Sequence, residues 1–508
     1  MSPAPYYSAL YSAALLVIAG CATAAPPAPP ELAAGREIDR AVQSAMESIK
    51  VMPGVAVAIW TPGGVYARGF GVIDVETSAP ATADTLFYTA SSTKSMTALA
   101  MEILHQRGEI NLDQTLRQYA PDADFPADVG ADSAHLRDLL THTSGIDNPA
   151  LVVRSAISGQ HSPEIDWRLL STATIKSETP RGAFEYSNSG YNILTTMTDR
   201  KISRPWQDLL QAEIFDPAGM DGATARISAA RIDGRSIARP HFGASPGGVR
   251  RLALEKTDAT QQSAGGVFMS ARDALIWLEL MIRDGKVGDV QAAPASAVAS
   301  VKRPQAQVGG SFGDYSRDAY ASGWYVGRYR DEAMIHSFGS FAGSRSHASF
   351  LPDRKTGVAV FSNDGSVGAQ YVDLLANFIY DMLAGRAEAF SEYEAGVGEL
   401  SAMRDQMIAA LDADQRKRAA RKWMLSAPIE AYAGVYENAN FGEIEIEVAG
   451  NSLRVGFGVP QVIAEPFTQP DAIRVEFEPM RGEVIGFRVD PAGAVIGLSY
   501  AGERFLKR

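Results

Sequence analysis

The order in which strand and helix patterns follow one another constrains the fold of this chain more than any other sequence feature. Two short strands are predicted at 55–60 and 65–70, around a Thr-Pro-Gly-Gly turn. Helical patterns and Gly/Pro-rich loops then fill residues 108–300, and strands return from residue 323. This order indicates an α+β fold in which an antiparallel sheet packs on helices, an all-helical lobe is inserted, and a cleft lies between the two.

The remaining pattern divides the 508 residues into four units. Late strands are predicted at 323–329, 333–337, 346–351 and 358–361, and helices at 31–50, 91–105, 271–283 and 371–383. The predicted units are a leader and tether (1–30), the α+β domain (31–389), a charged helical linker (390–425) and a small barrel-like β-domain (426–508).

The first unit predicts export. Residues 8–20 form an apolar segment that is too short to span a bilayer and long enough for the core of a signal peptide. Ile18-Ala19-Gly20-Cys21 resembles a bacterial lipobox, and residues 25–30 (APPAPP) read as an extended tether. The first twelve residues lack Lys and Arg, however, and Ala22-Thr23-Ala24 is an alternative cleavage site that would release a soluble protein. We therefore expect a periplasmic protein, either free or attached to the outer membrane through lipidated Cys21.

Composition excludes several function classes. The net charge is −12 and no run of Lys or Arg forms a phosphate-binding stripe, so nucleic acid is not an expected partner. Cys21 is the sole cysteine, and the seven histidines show no metal-ligand spacing. We expect neither metal nor cofactor, and a small molecule or peptide as the substrate.

Ser91 and Lys94 are the first candidate catalytic pair. They lie three residues apart at the start of a predicted helix, which places both side chains on one helical face. A serine at a helix N-terminus lies in a positive potential that favours an alkoxide, and its own N–H can donate to an oxyanion. A desolvated lysine can accept the serine proton. The spacing alone is weak evidence, since Ser-x-x-Lys occurs by chance about once or twice in such a chain.

Tyr186-Ser187-Asn188 is the second candidate element. A tyrosine near a lysine can pass a proton to the leaving group, and an asparagine supplies hydrogen bonds to the substrate or to Lys94. Tyr436-Glu437-Asn438 matches the same triplet, but it falls in the predicted β-domain and is interpreted as structural.

Ordered blocks around these residues carry a family resemblance. The blocks are 87–99 (FYTASSTKSMTAL), 136–146 (LRDLLTHTSGI), 182–193 (GAFEYSNSGYNI), 214–221 (IFDPAGMD), 263–275 (SAGGVFMSARDAL) and 344–364 (SRSHASFLPDRKTGVAVFSND). Over residues 35–385 the chain resembles the class C-like branch of the serine β-lactamase and penicillin-binding-protein superfamily, which includes family VIII carboxylesterases, D-Ala-D-Ala carboxypeptidases and D-aminopeptidases. The resemblance implies Ser91 as nucleophile, Lys94 and Tyr186 as the general base pair, and Asn188 lining the site. The β-domain resembles a lipocalin-like extension of some of these peptidases.

The third motif of that family departs from its usual form. The family has Lys-Thr-Gly or His-x-Gly on the strand facing the serine. Lys355-Thr356-Gly357 follows Pro352-Asp353 and is interpreted as a turn between strands. Counting back along the strand places the motif at Ser337-Phe338-Gly339, with His336 one residue early unless a bulge shifts the register. The second oxyanion donor would then be the N–H of Ser340.

Other candidate nucleophiles and bases fit less well. Gly-x-Ser-x-Gly occurs at 243–247 and 309–313, but neither has both the buried strand before it and the helix after it that a nucleophile elbow requires, and both are predicted to be loops. His142 is interpreted as a helix-end histidine with local hydrogen bonds.

These residues predict an exported serine hydrolase that cleaves amide or ester bonds through a Ser91 acyl-enzyme. D-residue or unusual peptides and small esters are expected as substrates ahead of β-lactams, because a normally cationic position reads Ser337 or an offset His336. The alternatives are a β-lactamase and, in a different class, an acylated sensor without turnover.

Overall fold

The computed structural model describes residues 30–176 and 179–508, which excludes the predicted leader and Cys21. The longest helices are α1 (Gly35–Ile49), α2 (Thr93–Gln106), α3 (Ser189–Ile202), α4 (Ala271–Ile282), α5 (Gly368–Leu383) and α6 (Ala389–Ala419). The principal strands are β1 (Gly54–Thr61), β2 (Gly64–Gly71), β3 (Ala306–Phe312), β4 (Tyr315–Tyr320), β5 (Tyr325–Tyr329), β6 (Glu332–Phe341), β7 (Ser344–Leu351) and β8 (Thr356–Ser362).

These eight strands form one antiparallel sheet in the order β3-β4-β5-β6-β7-β8-β1-β2. The early hairpin joins the late strands through β1 and β8, where Val57 pairs with Val360. The β3–β4 hairpin was not predicted, and it contains the 309–313 pentapeptide that we expected to be a loop. The edge strand β3 contains Gly309 and Gly310 and is mostly exposed, whereas β4 is largely polar in sequence but buries Tyr315 and Tyr320.

The two faces of the sheet bury different layers. On β1, Val55, Val57 and Ile59 pack against the layer of α1 and α5, whereas Ala56 and Ala58 pack on the face that carries α2 and α4. The strand therefore reads as continuously apolar rather than alternating, because both of its faces are covered.

The residues of the helical lobe lie between β2 and β3 in the sequence. The lobe covers the face of the sheet that carries α2. It contains α3 and short helices at Leu116–Tyr119, Leu136–Leu140, Pro149–Val153, Pro163–Leu169, Trp206–Leu210 and Ile227–Ile232, with π-helical turns at Arg154–Ser158 and Gln211–Phe215. The predicted α+β sheet with an inserted helical lobe is confirmed.

The long helix α6 connects this domain to the C-terminal β-domain. Near its start the Tyr393 ring stacks on Phe378 of α5 at 4.4 Å, and near its end Arg418 pairs with Glu465 and Glu476 of the β-domain. The helix therefore contacts both units along its length.

The C-terminal unit is a nearly closed antiparallel barrel of nine strands. Their bounds are Gly434–Asn438, Gly442–Ala449, Ser452–Gly456, Gln461–Ile463, Glu465–Pro466, Ala472–Glu478, Arg481–Val489, Val495–Tyr500 and Glu503–Lys507. The edge strands 461–463 and 465–466 are separated by one residue, which brings the two ends of the sheet together. Tyr436 is fully buried in the barrel and donates to the Tyr432 carbonyl at 2.7 Å. The predicted barrel-like β-domain is confirmed.

The barrel also contacts the helical lobe. Arg154 donates to the Asn440 carbonyl at 2.5 Å, and Gln160 donates to the Glu443 carbonyl at 3.0 Å. Among the helices of the described residues, none combines the length and the apolar character needed to cross a membrane.

Candidate active site

Ser91 lies in a strained turn that leads into α2. Residues Ala90–Ser92 form a 3₁₀ turn before Thr93, and Ala90 has a φ of 46°, which a non-glycine residue rarely adopts. The Thr89 backbone N–H and hydroxyl both donate to the Val267 carbonyl, at 3.0 and 2.9 Å, while the Val267 N–H donates to the Thr93 hydroxyl at 3.0 Å. These bonds hold the turn from both sides and leave Ser91 half-buried at the helix N-terminus.

Lys94 reaches Ser91 from one turn further along. Its Nζ lies 3.2 Å from Ser91 Oγ and donates to Asn188 Oδ1 and the Ala264 carbonyl, both at 2.7 Å. The two carbonyl oxygens thus orient two N–H bonds of the Lys94 amine, and the remaining tetrahedral position on Nζ is directed at Ser91. The side chain is 1% exposed and has no carboxylate within 4.0 Å in the described chain, and this burial lowers the pKa of Lys94 well below 10.5.

Tyr186 closes the group on the solvent side. Lys94 Nζ lies 4.8 Å from the centre of its ring. Burial of the hydroxyl raises the pKa of Tyr186 to about 12, although a hydrogen bond with Ser91 and the charge of Arg317 both act to lower it. Tyr186 is therefore a protonated phenol at neutral pH. Of the two candidate bases, Lys94 is the one whose pKa burial lowers, so it is the better proton acceptor.

His142 supports Tyr186 from behind. Its ring centre lies 4.5 Å from that of Tyr186, and its Nδ1 accepts from the Ser187 N–H at 3.3 Å. The neutral ring must then carry its hydrogen on Nε2, which lies 3.2 Å from the Tyr320 hydroxyl. Burial lowers the pKa of His142 well below 6.5, and both nitrogens are occupied, so the histidine fixes the position of the tyrosine.

The strand facing the nucleophile is the second half of β6. The pairing with β5 ends where Tyr325 meets His336, so residues 337–341 have a free backbone edge on that side. Gly339 lies so close to the nucleophile turn that an added Cβ would be 2.0 Å from the Thr89 carbonyl oxygen. The exposed Ser340 follows at this free edge, where its N–H and that of Ser91 are the predicted oxyanion donors.

The sheet register separates Ser337 from His336. Ser337 pairs with Ala348, which packs on the face of α2, and is 5% exposed there. His336 points to the opposite face, packs on Tyr315 at 5.3 Å, and accepts from Arg317 at 3.4 Å. The uninterrupted pairing from Ile335 to Phe341 contains no bulge, so the structure brings Ser337 and Gly339, and not His336, to the nucleophile.

The remaining motif matches lie elsewhere. Lys355 is exposed in the turn between β7 and β8, with a φ of 51°, and Gly357 packs on Leu278 of α4. Neither Ser245, in a loop, nor Ser311, in β3, is followed by a helix.

Two site groups were missed by sequence reasoning. The Ala264 carbonyl, which holds Lys94, is a backbone atom inside block 263–275, and no side-chain type signals it. Arg317 lies on the unpredicted β4, with its guanidinium 3.8 Å from the centre of the Tyr325 ring and no carboxylate within 4.0 Å among the described residues. Its charge acts to lower the pKa of Tyr186.

A sheet and helical lobe that enclose a serine, a desolvated lysine and a tyrosine define a serine hydrolase of the β-lactamase type. Residues 38–377 match the family model described as Beta-lactamase, and the chain belongs to this family of serine hydrolases. No group of three or more His, Cys, Asp or Glu side chains suited to a metal occurs within residues 30–176 and 179–508.

Relatives and structural neighbours agree with the family. The chain is 21% identical over 347 residues to protein flp of Staphylococcus aureus, covering 68% of this chain and 65% of that protein. It is 23% identical over 342 residues to penicillin-binding protein 4 of Amycolatopsis lactamdurans, covering 66% and 87%. The chain thus spans less than two thirds of the length of protein flp.

Solved structures show the same fold. The octameric penicillin-binding protein homologue of Pyrococcus abyssi has a TM-score of 0.58 and 19% identity, covering 93% of this chain and 99% of its own. The D-amino acid amidase of Ochrobactrum anthropi has a TM-score of 0.56 and 21% identity, covering 72% and 99%.

Proposed function

We propose that this protein hydrolyses amide or ester bonds by forming an acyl-enzyme on Ser91. One observation carries the proposal. Among the described residues Lys94 is buried with no carboxylate within 4.0 Å, and two carbonyl acceptors direct its amine at Ser91 Oγ, 3.2 Å away. Lys256 is also buried and held by two carbonyls, so the contact with a serine hydroxyl is what distinguishes Lys94.

The chemistry follows from these positions. The Lys94 amine takes the proton of Ser91, whose Oγ bonds to the substrate carbonyl carbon, and the oxyanion accepts from the N–H groups of Ser91 and Ser340. As the bond to the leaving group breaks, the Tyr186 phenol gives that group a proton and regains one from the Lys94 ammonium. In the second half of the reaction, water enters from the leaving-group side, passes a proton through the Tyr186 hydroxyl to the Lys94 amine and bonds to the acyl carbon. The bond to Ser91 Oγ then breaks, the Lys94 ammonium returns a proton to Oγ, and the acid is released.

We propose D-residue or otherwise unusual peptides, or small esters, as substrates ahead of β-lactams. The support is the side chain at the third motif, where a neutral Ser337 faces the nucleophile instead of a cation. A D-amino acid amidase is among the proteins that share the fold. Arg317, which has no carboxylate within 4.0 Å among the described residues and whose charge acts on Tyr186, offers a cation to a substrate whose leaving group carries an anion.

The test is intact-protein mass spectrometry combined with turnover assays. The protein is exposed to p-nitrophenyl acetate, D-amino acid amides and a penicillin, and we expect a transient acyl adduct on Ser91 with steady turnover of esters or amides. Ser91→Ala should abolish both. Ser311→Ala, in the second Gly-x-Ser-x-Gly pentapeptide, is the matched control and should retain both.

The two alternative functions are outcomes of the same test. A stoichiometric adduct without turnover would indicate the sensor, and preferential penicillin hydrolysis would indicate a β-lactamase. Full activity in Ser91→Ala would refute the proposal.

Export is a separate part of the proposal and rests on residues 1–29 of the sequence. Mass spectrometry of the mature N-terminus would distinguish a diacylated Cys21 from cleavage after Ala24. If the protein expressed in a bacterium with a periplasm kept an uncleaved N-terminus that begins at Met1, export would be contradicted.

A further inference from the structure

A cavity of about 310 Å³ lies where the helical lobe, the sheet and the C-terminal barrel meet. Its volume is in the range of small-molecule sites, which start at about 300 Å³. The larger apolar side chains of the lining come from all three units: Val153, Ile157, Leu254, Phe341, Phe457, Phe477 and Tyr500. The barrel supplies the last three, and neither the lobe nor the sheet could complete the cavity alone.

The cavity is continuous with the free edge of β6. Ser340 and Phe341 line it, and Ser340 carries the predicted oxyanion N–H. A carbonyl held between Ser91 and Ser340 would therefore lie next to a residue that lines the cavity. The Phe341 ring continues toward the nucleophile turn, with its centre 5.8 Å from that of Tyr88.

The proton-transfer groups lie toward the opposite end of the same edge. Tyr325, which pairs with His336, packs on Phe184 and Tyr320, and the rings of both also pack on His142 behind Tyr186. Since the leaving group must reach Tyr186, it extends toward the His336 end. The acyl group on the other side of the carbonyl then extends toward Ser340 and the cavity.

The charged groups at the cavity are already paired within the barrel. Glu483 accepts a hydrogen bond from the Tyr500 hydroxyl, and Glu478 lies 3.4 Å from Arg481. A ligand therefore needs no charge to pair with these groups. Apolar groups of a ligand would bind in the cavity by covering its apolar lining.

We propose that this cavity binds the apolar acyl group of the substrate, so that the C-terminal barrel sets the acyl specificity of the enzyme. The inference rests on the proposed function. It narrows the substrate class to amides or esters of acids with an apolar chain or ring that continues beyond the carbonyl carbon.

The test uses p-nitrophenyl acetate, butyrate and hexanoate with the full-length protein. For the unaltered protein, kcat/KM should increase along the series by about fourfold for each methylene that the cavity buries. Phe477→Ala removes one wall, and the hexanoate-to-acetate ratio should fall at least fivefold while acetate turnover changes less than twofold. Ile496→Ala, an exposed barrel residue outside the cavity, is the control and should leave the ratio unchanged.

A filling variant tests the same idea without removing core surface. Ala501 lines the cavity from an exposed barrel turn. Ala501→Trp should reduce hexanoate turnover about tenfold and spare acetate. Phenyl and 2-naphthyl acetate, which differ only in the leaving group, should keep their rate ratio in both variants.

The outcomes separate the two proposals. An unchanged acyl preference in both variants, with turnover still dependent on Ser91, would overturn this inference alone. A change confined to the phenyl-to-naphthyl ratio would also overturn it, because the cavity would then hold the leaving group. Absence of any adduct or turnover with every ester, D-amino acid amide and penicillin tested would instead refute the proposed function.

Discussion

Replacing Lys94 by methionine should change the stability of the fold by an amount that depends on pH. Methionine has nearly the same length and no charge, so it fits the space that the 1%-exposed lysine occupies. In the folded protein, burial lowers the pKa of Lys94 well below 10.5, whereas the lysine of the unfolded chain keeps its ordinary pKa. Between those two values the unfolded state binds one more proton than the folded state.

The sign and size of the effect follow from proton linkage. Because the unfolded state binds the extra proton, the free energy of unfolding of the unaltered protein rises with pH across this window, by about 1.4 kcal/mol per pH unit. The Lys94→Met variant lacks this contribution. Loss of the hydrogen bonds to Asn188 and Ala264 costs about 1–3 kcal/mol for each unpaired carbonyl, but that cost does not vary with pH. The pH slope therefore isolates the ionisation of Lys94.

The assay is urea unfolding of the two proteins at several pH values. The difference in free energy of unfolding, variant minus unaltered protein, should decrease by about 1.4 kcal/mol for each pH unit between the lowered pKa of Lys94 in the fold and its ordinary value of 10.5. Lys355→Met removes an exposed lysine and should run parallel to the unaltered protein. Parallel curves for Lys94→Met would show that Lys94 stays charged in the fold, and would refute its assignment as a neutral base.

Three further predictions concern the geometry of the site. Gly339→Ala should cost about 1–3 kcal/mol of stability and lower kcat/KM, because the added Cβ meets the nucleophile turn; thermal unfolding would show this, with Gly310→Ala, which has open space around it, as the unaffected control. Tyr186→Phe should lower kcat by about 10²–10⁴ through loss of the leaving-group proton, with an unchanged melting temperature, and normal turnover would exclude that role. The pH profile of kcat/KM should show an acidic limb from protonation of Lys94 and no alkaline limb below about pH 12, the pKa of Tyr186, so an alkaline limb near neutrality would contradict the assigned roles.

Features that depend on local spacing were predicted correctly from the sequence, whereas some long-range features were not. Ser91 and Lys94 are three residues apart, and helix geometry alone brings their side chains to one face, so the 3.2 Å contact follows from spacing. The order of strands and helices likewise predicted the sheet with its inserted lobe and the small barrel. The β3–β4 hairpin was missed because the edge strand β3 is Gly-rich and neither strand has a clear apolar alternation in sequence.

Spacing along the sequence does not determine which residue occupies the third motif. His336 and Ser337 are adjacent, and counting along the strand left both open. Only the pairing of Ser337 with Ala348 decides which side chain faces α2, because a shift of one residue moves every side chain to the other face. The same holds for Arg317, whose approach to Tyr186 depends on the position of a neighbouring strand.

What the sequence alone determined are the properties that depend on neighbours in the chain: the family blocks, the helix that carries Ser91 and Lys94, and the strand order. Tertiary structure decided the rest. It set the Ala264 carbonyl against Lys94, left one edge of β6 open at Ser340, and joined barrel, lobe and sheet around one cavity. The first and third of these features require residues more than a hundred positions apart to meet, and such contacts are fixed by packing of whole elements rather than by local spacing.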